Sequence, residues 1–131
     1  MSEFKLVIPG VPIAQARPKF YRRGNFVGTY SPQQTEAGRW LLTARQQITE
    51  MIPEGAPITI RAYFYMPIPK SLSIKKHGIP PHMKKPDIDN LIKFCLDCLN
   101  GELWHDDRQI CFISGRKNYD ANPRTEIVVE W

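Results

Sequence analysis

With 131 residues, the chain is long enough for one hydrophobic core and too short for two. Its 18 Lys and Arg residues outnumber its 13 Asp and Glu residues, and the net charge of +5 favours a phosphodiester as its partner. No apolar run approaches the roughly 20 residues that a membrane-spanning helix needs, and no leader peptide is visible. Three cysteines without a leader predict a reducing cytoplasm and no disulfide framework.

Hydrophobic periodicity and turn residues predict elements in the order β-α-β-α-β-β. They are a strand at 4–8, a helix from Ser31-Pro32 to about Met51, a strand at 58–66, a helix from Asp87 to Asn100, and strands at 110–115 and 125–130. A basic stretch (10–29), a five-proline segment (67–86) and a polar loop (116–124) separate them. This order predicts a single α+β domain over 1–131, with two layers and both helices on one face of a mixed sheet.

The second helix begins in the segment K-P-D-I-D-N-L-I-K, which starts at Lys85. Pro86 disfavours helix before it, and Asp87 is a good N-cap that can accept from the N–H of Asp89 or Asn90. An apolar stripe at helical spacing follows, and an Asn-Gly pair ends the helix. Asp89 and Lys93 therefore share the solvent-facing side, one turn apart.

A second acidic pair, Asp106 and Asp107, follows the turn after this helix. Each acid alone fits a cap, a turn residue or a solvated ion pair. Together with Asp87 and Asp89, the pair predicts a site for a hard cation such as Mg²⁺, which prefers carboxylate oxygens. An EF-hand is excluded, because the loop positions that need Gly and an acid hold Ile and Cys.

The cysteines suggest a different metal. Cys95 and Cys98 form a C-x-x-C pair, with His105 and Cys111 nearby in the sequence, as in some zinc sites. However, Cys95 belongs to the apolar stripe, and no second C-x-x-C or H-x3-H motif exists. Zinc is therefore the disfavoured alternative.

Basic residues cluster in the basic stretch (10–29), in the five-proline segment (67–86) and at the start of the polar loop (116–124). These clusters predict contacts with nucleic-acid phosphates, which carry no sequence information. A solvated flexible loop remains the alternative for the five-proline segment. The candidate DNA-binding residues are Arg17, Lys19, Lys75, Lys76, Lys84, Lys85 and Lys117.

The motif K-P-D-I-D-N-L-I-K-x3-D-x-L-N-G, followed by D-D-R-Q-I, resembles that of the RusA family of Holliday-junction resolvases. The N-terminal V-I-P-G-V-P-I-A-Q-A-R-P-K is similar to the opening strand and turn of that family, so the likeness covers about residues 7–110. The resemblance implies a small homodimeric endonuclease, often borne by phages and prophages, that needs Mg²⁺ or Mn²⁺ and cuts four-way junctions in recombination and repair.

Carried over residue by residue, the resemblance places the metal-binding acids on Asp87, Asp89 and Asp107 and the critical lysine on Lys93. Asp106 matches the acid that precedes the last ligand. These residues imply hydrolysis of a phosphodiester at a metal site.

Two other functions stay open at this point. The acids could belong to a catalytically silent DNA-binding module, in which they cap a helix and balance lysines. A metal-dependent phosphatase or nucleotide hydrolase is a third option, although no Gly-rich phosphate loop is present. Cleavage of a four-way junction with and without Mg²⁺ distinguishes a nuclease from the DNA-binding module, and release of inorganic phosphate from nucleotides would indicate the third option.

Overall fold

The computed structural model describes residues 1–16, 19–30, 34–72 and 78–131, with side chains described except at 19–21 and 29–30. The strands are β1 (Glu3–Pro9), β2 (Lys19–Arg23), β3 (Phe26–Tyr30), β4 (Ile58–Pro67), β5 (Ile110–Asp120) and β6 (Arg124–Glu130). The helices are α1 (Gln34–Gln47) and α2 (Ile88–Leu99), and a 3-10 helix (Asp107–Gln109) leads into β5. Within this part of the chain, no helix is long and apolar enough to cross a membrane.

Four strands form one open sheet in the order β1-β6-β4-β5. β4 and β5 run parallel, while β6 is antiparallel to both β1 and β4. Because parallel neighbours need a crossover connection, the chain passes through α2 between β4 and β5. This mixed sheet with helices confirms the predicted α+β class.

One face of the sheet carries the core. Alternate residues of β4 are buried from Ile58 to Met66, as the sequence pattern predicts. Trp40 on α1 meets Phe94 on α2 edge to face, with ring centroids 5.8 Å apart, so both helices cover the same face. The helical residues buried there are Trp40, Ala44, Leu91, Phe94, Cys95 and Leu99.

β2 and β3 form a separate hairpin, which lies almost entirely in the basic stretch (10–29). Arg22 pairs with Val27 and Arg23 with Phe26, so the turn is Gly24-Asn25. Gly24 has a φ of 57°, which glycine adopts without steric cost. The predicted element order placed no strand in the basic stretch (10–29) and therefore lacked this hairpin. The predicted Ser31-Pro32 helix start lies outside the described residues.

α1 ends at Gln47, earlier than the predicted end near Met51. The Gln47 side chain accepts from the Val7 N–H at 3.0 Å and donates to the Val7 carbonyl at 2.7 Å. It thereby satisfies backbone groups of the edge strand β1. The chain then turns, and Ile52 becomes fully buried with its N–H donating to the Leu103 carbonyl at 2.8 Å.

β5 continues to Asp120, through much of the predicted polar loop. Its parallel pairing with β4 extends to the pair Pro67–Asp120. Backbone pairing requires no apolar side chain, so polar composition alone was a misleading signal here. Only residues 121–123 separate β5 from β6.

Candidate functional site

The start of α2, which we call the helix mouth (residues 84–93), carries three of the predicted catalytic residues. Asp87 is the N-cap, with φ −68° and ψ 144°, and its backbone carbonyl accepts from the Leu91 N–H at 3.3 Å. Its carboxylate makes no capping hydrogen bond, so the predicted cap position is confirmed and the predicted cap bond is wrong. The exposed carboxylate is therefore available to a ligand.

Asp89 and Lys93 are both exposed and lie one turn apart on α2. Side chains at this spacing often pair, yet no ion pair joins these two described residues. An open depression lined by Lys85, Pro86, Asp87 and Asn90 lies beside them. The Asp89 carboxylate and the Lys93 ammonium thus do not neutralise each other through a direct contact.

A lysine on β5 holds the backbone at the start of the helix mouth. The Lys117 ammonium donates to the carbonyls of Lys84 and Pro86, at 2.9 Å each. Lys117 was predicted to contact DNA, but its ammonium is engaged with the backbone that leads into Asp87. These two bonds hold the chain at the point where it enters α2.

Gly115 on β5 lets α2 approach closely. A Cβ atom at Gly115 would lie 2.9 Å from Cδ1 of Ile92 and 3.1 Å from Cδ1 of Ile88. On another side, the Gln15 N–H donates to the Asn90 carbonyl at 2.9 Å. Hydrogen bonds and close packing therefore hold the backbone of the helix mouth in place, whereas the carboxylates of Asp87 and Asp89 have no such contacts among the described residues.

His82 shows that part of the five-proline segment is packed. Its ring is buried against Tyr119 with centroids 4.8 Å apart, and Nδ1 has no hydrogen-bond partner. Burial, with the nearby Lys117 ammonium second, lowers the pKa of the imidazole. A neutral ring therefore anchors the described residues that precede the helix mouth.

The second acidic pair lies in a turn at the other end of α2, which we call the acidic turn (residues 104–109). Asp106 caps the 3-10 helix, accepting from the Arg108 N–H at 2.8 Å. It also pairs with the Arg108 guanidinium at 3.2 Å. The Arg108 N–H, helped by the guanidinium, lowers the pKa of the Asp106 carboxyl. The structure thus occupies Asp106 with local contacts.

Gln109 fixes the acidic turn, a role that our sequence reasoning missed. Its Oε1 accepts from the N–H groups of His105 and Asp106 at 3.0 and 3.2 Å. Its Nε2 donates to the carbonyls of Pro53 and Ala56 at 3.0 and 3.1 Å. The spacing from Asp106 to Gln109 matches a capping box, which was a usable signal.

Asp107 accepts a hydrogen bond from a buried tryptophan. The indole Nε1 of Trp104 donates to Asp107 Oδ1 at 2.6 Å, and Trp104 is 0% exposed. Sequence reasoning also missed Trp104, and no local pattern predicts this bond. Oδ2 of Asp107 has no hydrogen-bond partner among the residues that the structure describes.

The helix mouth and the acidic turn are far apart within one chain. The 12 residues of α2 separate them, which corresponds to about 18 Å along the helix axis. Within residues 1–16, 19–30, 34–72 and 78–131, no three His, Cys, Asp or Glu side chains lie close enough to share a metal ion. A single chain therefore does not assemble the predicted ligands Asp87, Asp89 and Asp107.

The structure describes some of the other predicted DNA-binding residues and not the rest. Lys84 and Lys85 are exposed at the helix mouth, beside the predicted ligands. Lys19 lies in β2, where only the backbone is described. Arg17, Lys75 and Lys76 lie outside the described residues.

The cysteines are free and occupy three different environments. Cys95 belongs to the core, Cys98 is half-buried, and Cys111 is exposed on β5. Burial raises the pKa of Cys98 to about 11, with the charge of Asp97 adding to the effect. Burial also raises the pKa of Cys95. Both thiols are thereby disfavoured as the thiolates that zinc requires.

Comparison with known proteins agrees with the motif. The family model described as endodeoxyribonuclease RusA matches residues 9–130, nearly the whole chain. The chain is also 31% identical over 138 residues to the uncharacterized protein YqaN of Bacillus subtilis (strain 168), covering 98% of this chain and 96% of that protein. RusA membership implies Holliday-junction resolvase activity. The chain belongs to the RusA family of endodeoxyribonucleases.

Proposed function

We propose that the protein is a magnesium-dependent endodeoxyribonuclease that resolves Holliday junctions in recombination and repair. The observation that carries this proposal is the helix mouth, where Asp87 and Asp89 present uncommitted carboxylates beside exposed lysines. In a chain of the RusA family, such a site suits a cation held against a DNA phosphate.

The proposed ligands are carboxylate oxygens, the type of ligand that a hard divalent cation prefers. Asp87 and Asp89 offer free carboxylates, and Asp107 offers the oxygen that Trp104 does not occupy. When bound, such a cation lowers the pKa of water and neutralises charge on the scissile phosphate. Mn²⁺ prefers similar ligands and is expected to substitute for Mg²⁺.

Lys93 supplies a positive charge at the same site. Because no ion pair joins it to Asp89, its ammonium is available to the phosphate group. An ammonium is a compact point charge that stabilises the charge developing in the transition state. Lys93 therefore acts directly on the reacting group in this proposal.

Lys84 and Lys85 contact flanking phosphates. Both are exposed and directly precede the ligand-bearing helix. Lys117 acts differently, because its ammonium already donates to the carbonyls of Lys84 and Pro86. It fixes the segment that carries the two phosphate-binding lysines.

A homodimer completes the site in this proposal. Since one chain separates the ligands by about 18 Å along α2, Asp107 of one protomer meets Asp87 and Asp89 of the other. Two-fold symmetry then produces two equivalent sites. Two sites match the two strand cuts that resolution of a four-way junction requires.

Among the described residues, β5 has one edge that no other strand pairs with, which supports this pairing. β5 is the last strand of the sheet, and the exposed apolar run Cys111, Phe112 and Ile113 lies near its start. Antiparallel pairing of two such edges sets the start of one strand opposite the end of the other. The acidic turn of one protomer then approaches the helix mouth of the other, where Lys84 and Lys85 supply opposite charge.

Cleavage of a synthetic four-way junction tests the proposal, with Mg²⁺, Mn²⁺ or EDTA and a linear duplex as the control substrate. We expect paired cuts in the junction with either metal and none in EDTA. Junction binding that survives EDTA, without cleavage in either metal, would instead identify a DNA-binding module. Release of inorganic phosphate from nucleotides would indicate a phosphatase.

A further inference from the structure

The contact between Trp104 and Asp107 joins a buried donor to a predicted ligand. At 2.6 Å from Nε1 to Oδ1, the bond is short for a neutral N–H donor. Its carboxylate acceptor strengthens it relative to a bond between two neutral groups. The bond occupies one carboxylate oxygen and restricts the rotation of the group.

The indole itself has little freedom. Trp104 is fully buried in the core, and its carbonyl accepts from the Gly101 N–H at 2.8 Å. The preceding residue, Leu103, donates its N–H to the Leu99 carbonyl at 3.0 Å. The donor is thus fixed by the C-terminal end of α2, while Gln109 clamps the turn from the other side.

We infer that Trp104 is a positioning residue for the metal site, which holds Oδ1 of Asp107 so that Oδ2 is presented to the cation. The inference rests on the proposed function, in which Asp107 is a ligand. Partners that orient metal ligands typically change metal affinity by about 10–100-fold when removed. Restricting the carboxylate in advance lowers the entropy lost when the cation binds.

The competing explanation is that Asp107 only satisfies a buried indole N–H, which would otherwise be costly. Both explanations predict that loss of the bond destabilises the fold. The two explanations differ in the metal affinity that they predict for a Trp104 variant. If Asp107 only satisfies the indole N–H, loss of Trp104 should weaken cation binding no more than any comparable loss of core packing.

Trp104→Phe removes the N–H and keeps an aromatic ring. Trp40→Phe is the matched control, because Trp40 is also a buried core residue and packs on Phe94. Mn²⁺ binding is measured without DNA, by electron paramagnetic resonance of the free ion. We expect about 10–100-fold weaker binding in Trp104→Phe and little change in Trp40→Phe, with similar losses in melting temperature.

Asp107→Asn distinguishes the possible failures. If Mn²⁺ binding depends on Asp107 but is equal in the two tryptophan variants, the inference about Trp104 is overturned and the proposed function stands. If binding does not depend on Asp107, the ligand assignment and the inference both fail.

The unmodified protein provides a second measurement if Trp104→Phe does not fold. In a Mg²⁺ titration followed by ¹H–¹⁵N spectroscopy, the Trp104 indole resonance should shift as Mg²⁺ binds, and that of Trp40 should not. An unresponsive Trp104 resonance at saturating Mg²⁺ would contradict the inference.

Discussion

At the helix mouth the carboxylates of Asp87 and Asp89 have no protein partner among the described residues, whereas at the acidic turn Asp106 and Asp107 each accept a hydrogen bond. The backbone is well supported in both places. The difference lies in the side chains. The acidic turn is organised before any ligand arrives, and the helix mouth presents charges that a ligand has to organise.

This contrast assigns different tasks to the two regions. Carboxylates that have no positively charged partner repel one another. In the proposed site, a bound cation would relieve this repulsion most at the helix mouth, where the carboxylates lack protein partners. In the proposed site, a fixed carboxylate such as Asp107 would instead define where the cation lies. The contrast predicts that substitutions in the helix mouth mainly change chemistry, while substitutions in the acidic turn also change stability.

The largest effect is expected from the proposed ligands. Asp87→Asn, Asp89→Asn and Asp107→Asn should each reduce cleavage below detection, because each removes a charged ligand. Junction binding should persist or tighten, since the phosphates then face less negative charge. The matched control is Asp97→Asn, an exposed acid two turns after Asp89 on α2. A ligand variant that cuts at the wild-type rate in Mg²⁺ would remove that residue from the site.

Lys93→Met should slow cleavage at least about a hundredfold, the loss typical of one removed transition-state donor. Stability should change by less than about 0.5 kcal/mol, because no ion pair with Asp89 is lost. Single-turnover cleavage and denaturant unfolding measure the two quantities. Lys93→Arg should recover only part of the rate, since its charge is spread over a planar group. Normal turnover in Lys93→Met would make Lys93 a surface residue.

Stability separates the two regions most directly. Gln109→Ala should lower the free energy of unfolding by about 1–3 kcal/mol, because it leaves backbone groups of two segments without partners. Asp87→Ala should cost less than about 0.5 kcal/mol, below the usual loss for an N-cap, because its carboxylate makes no cap bond. Urea unfolding measures both. A larger loss in Asp87→Ala than in Gln109→Ala would reverse the comparison.

The smallest effect concerns the lysines of the helix mouth. Replacing Lys84 and Lys85 together with Gln should reduce the log–log salt dependence of junction binding by up to about two units, at roughly 0.9 per phosphate contact. Lys5→Gln is the control, because Lys5 pairs with Glu126 at 2.7 Å. An unchanged slope in the double variant would mean that these lysines do not contact phosphates.

Much of the fold could be predicted because it follows local patterns. The alternation of β4 and the apolar stripe of α2 each mark one buried face, and both elements form where the sequence indicates. The β2–β3 hairpin was missed although Gly24-Asn25 is a readable turn signal. The extension of β5 to Asp120 depends on pairing with β4, which composition does not reveal.

The residues of the candidate site were predicted from local patterns and resemblance, and they stay a prediction. The acids were identified from caps, spacing and resemblance. The sequence already places them at the start of α2 and after its end. Whether they meet in one site depends on how the chain folds and associates, which local patterns do not show. The Trp104–Asp107 bond is likewise set by the core, into which Trp104 is packed.

Complementation between two inactive variants tests the central claim, that the metal site is shared between protomers. Asp89→Asn and Asp107→Asn proteins are mixed, allowed to exchange subunits, and assayed on a four-way junction in Mg²⁺. In a shared site, the heterodimer has one doubly altered centre and one fully intact centre, so single-strand cuts should appear although each variant alone is inactive. If subunit exchange is verified and the mixture remains inactive, each site lies within one chain and the account is contradicted.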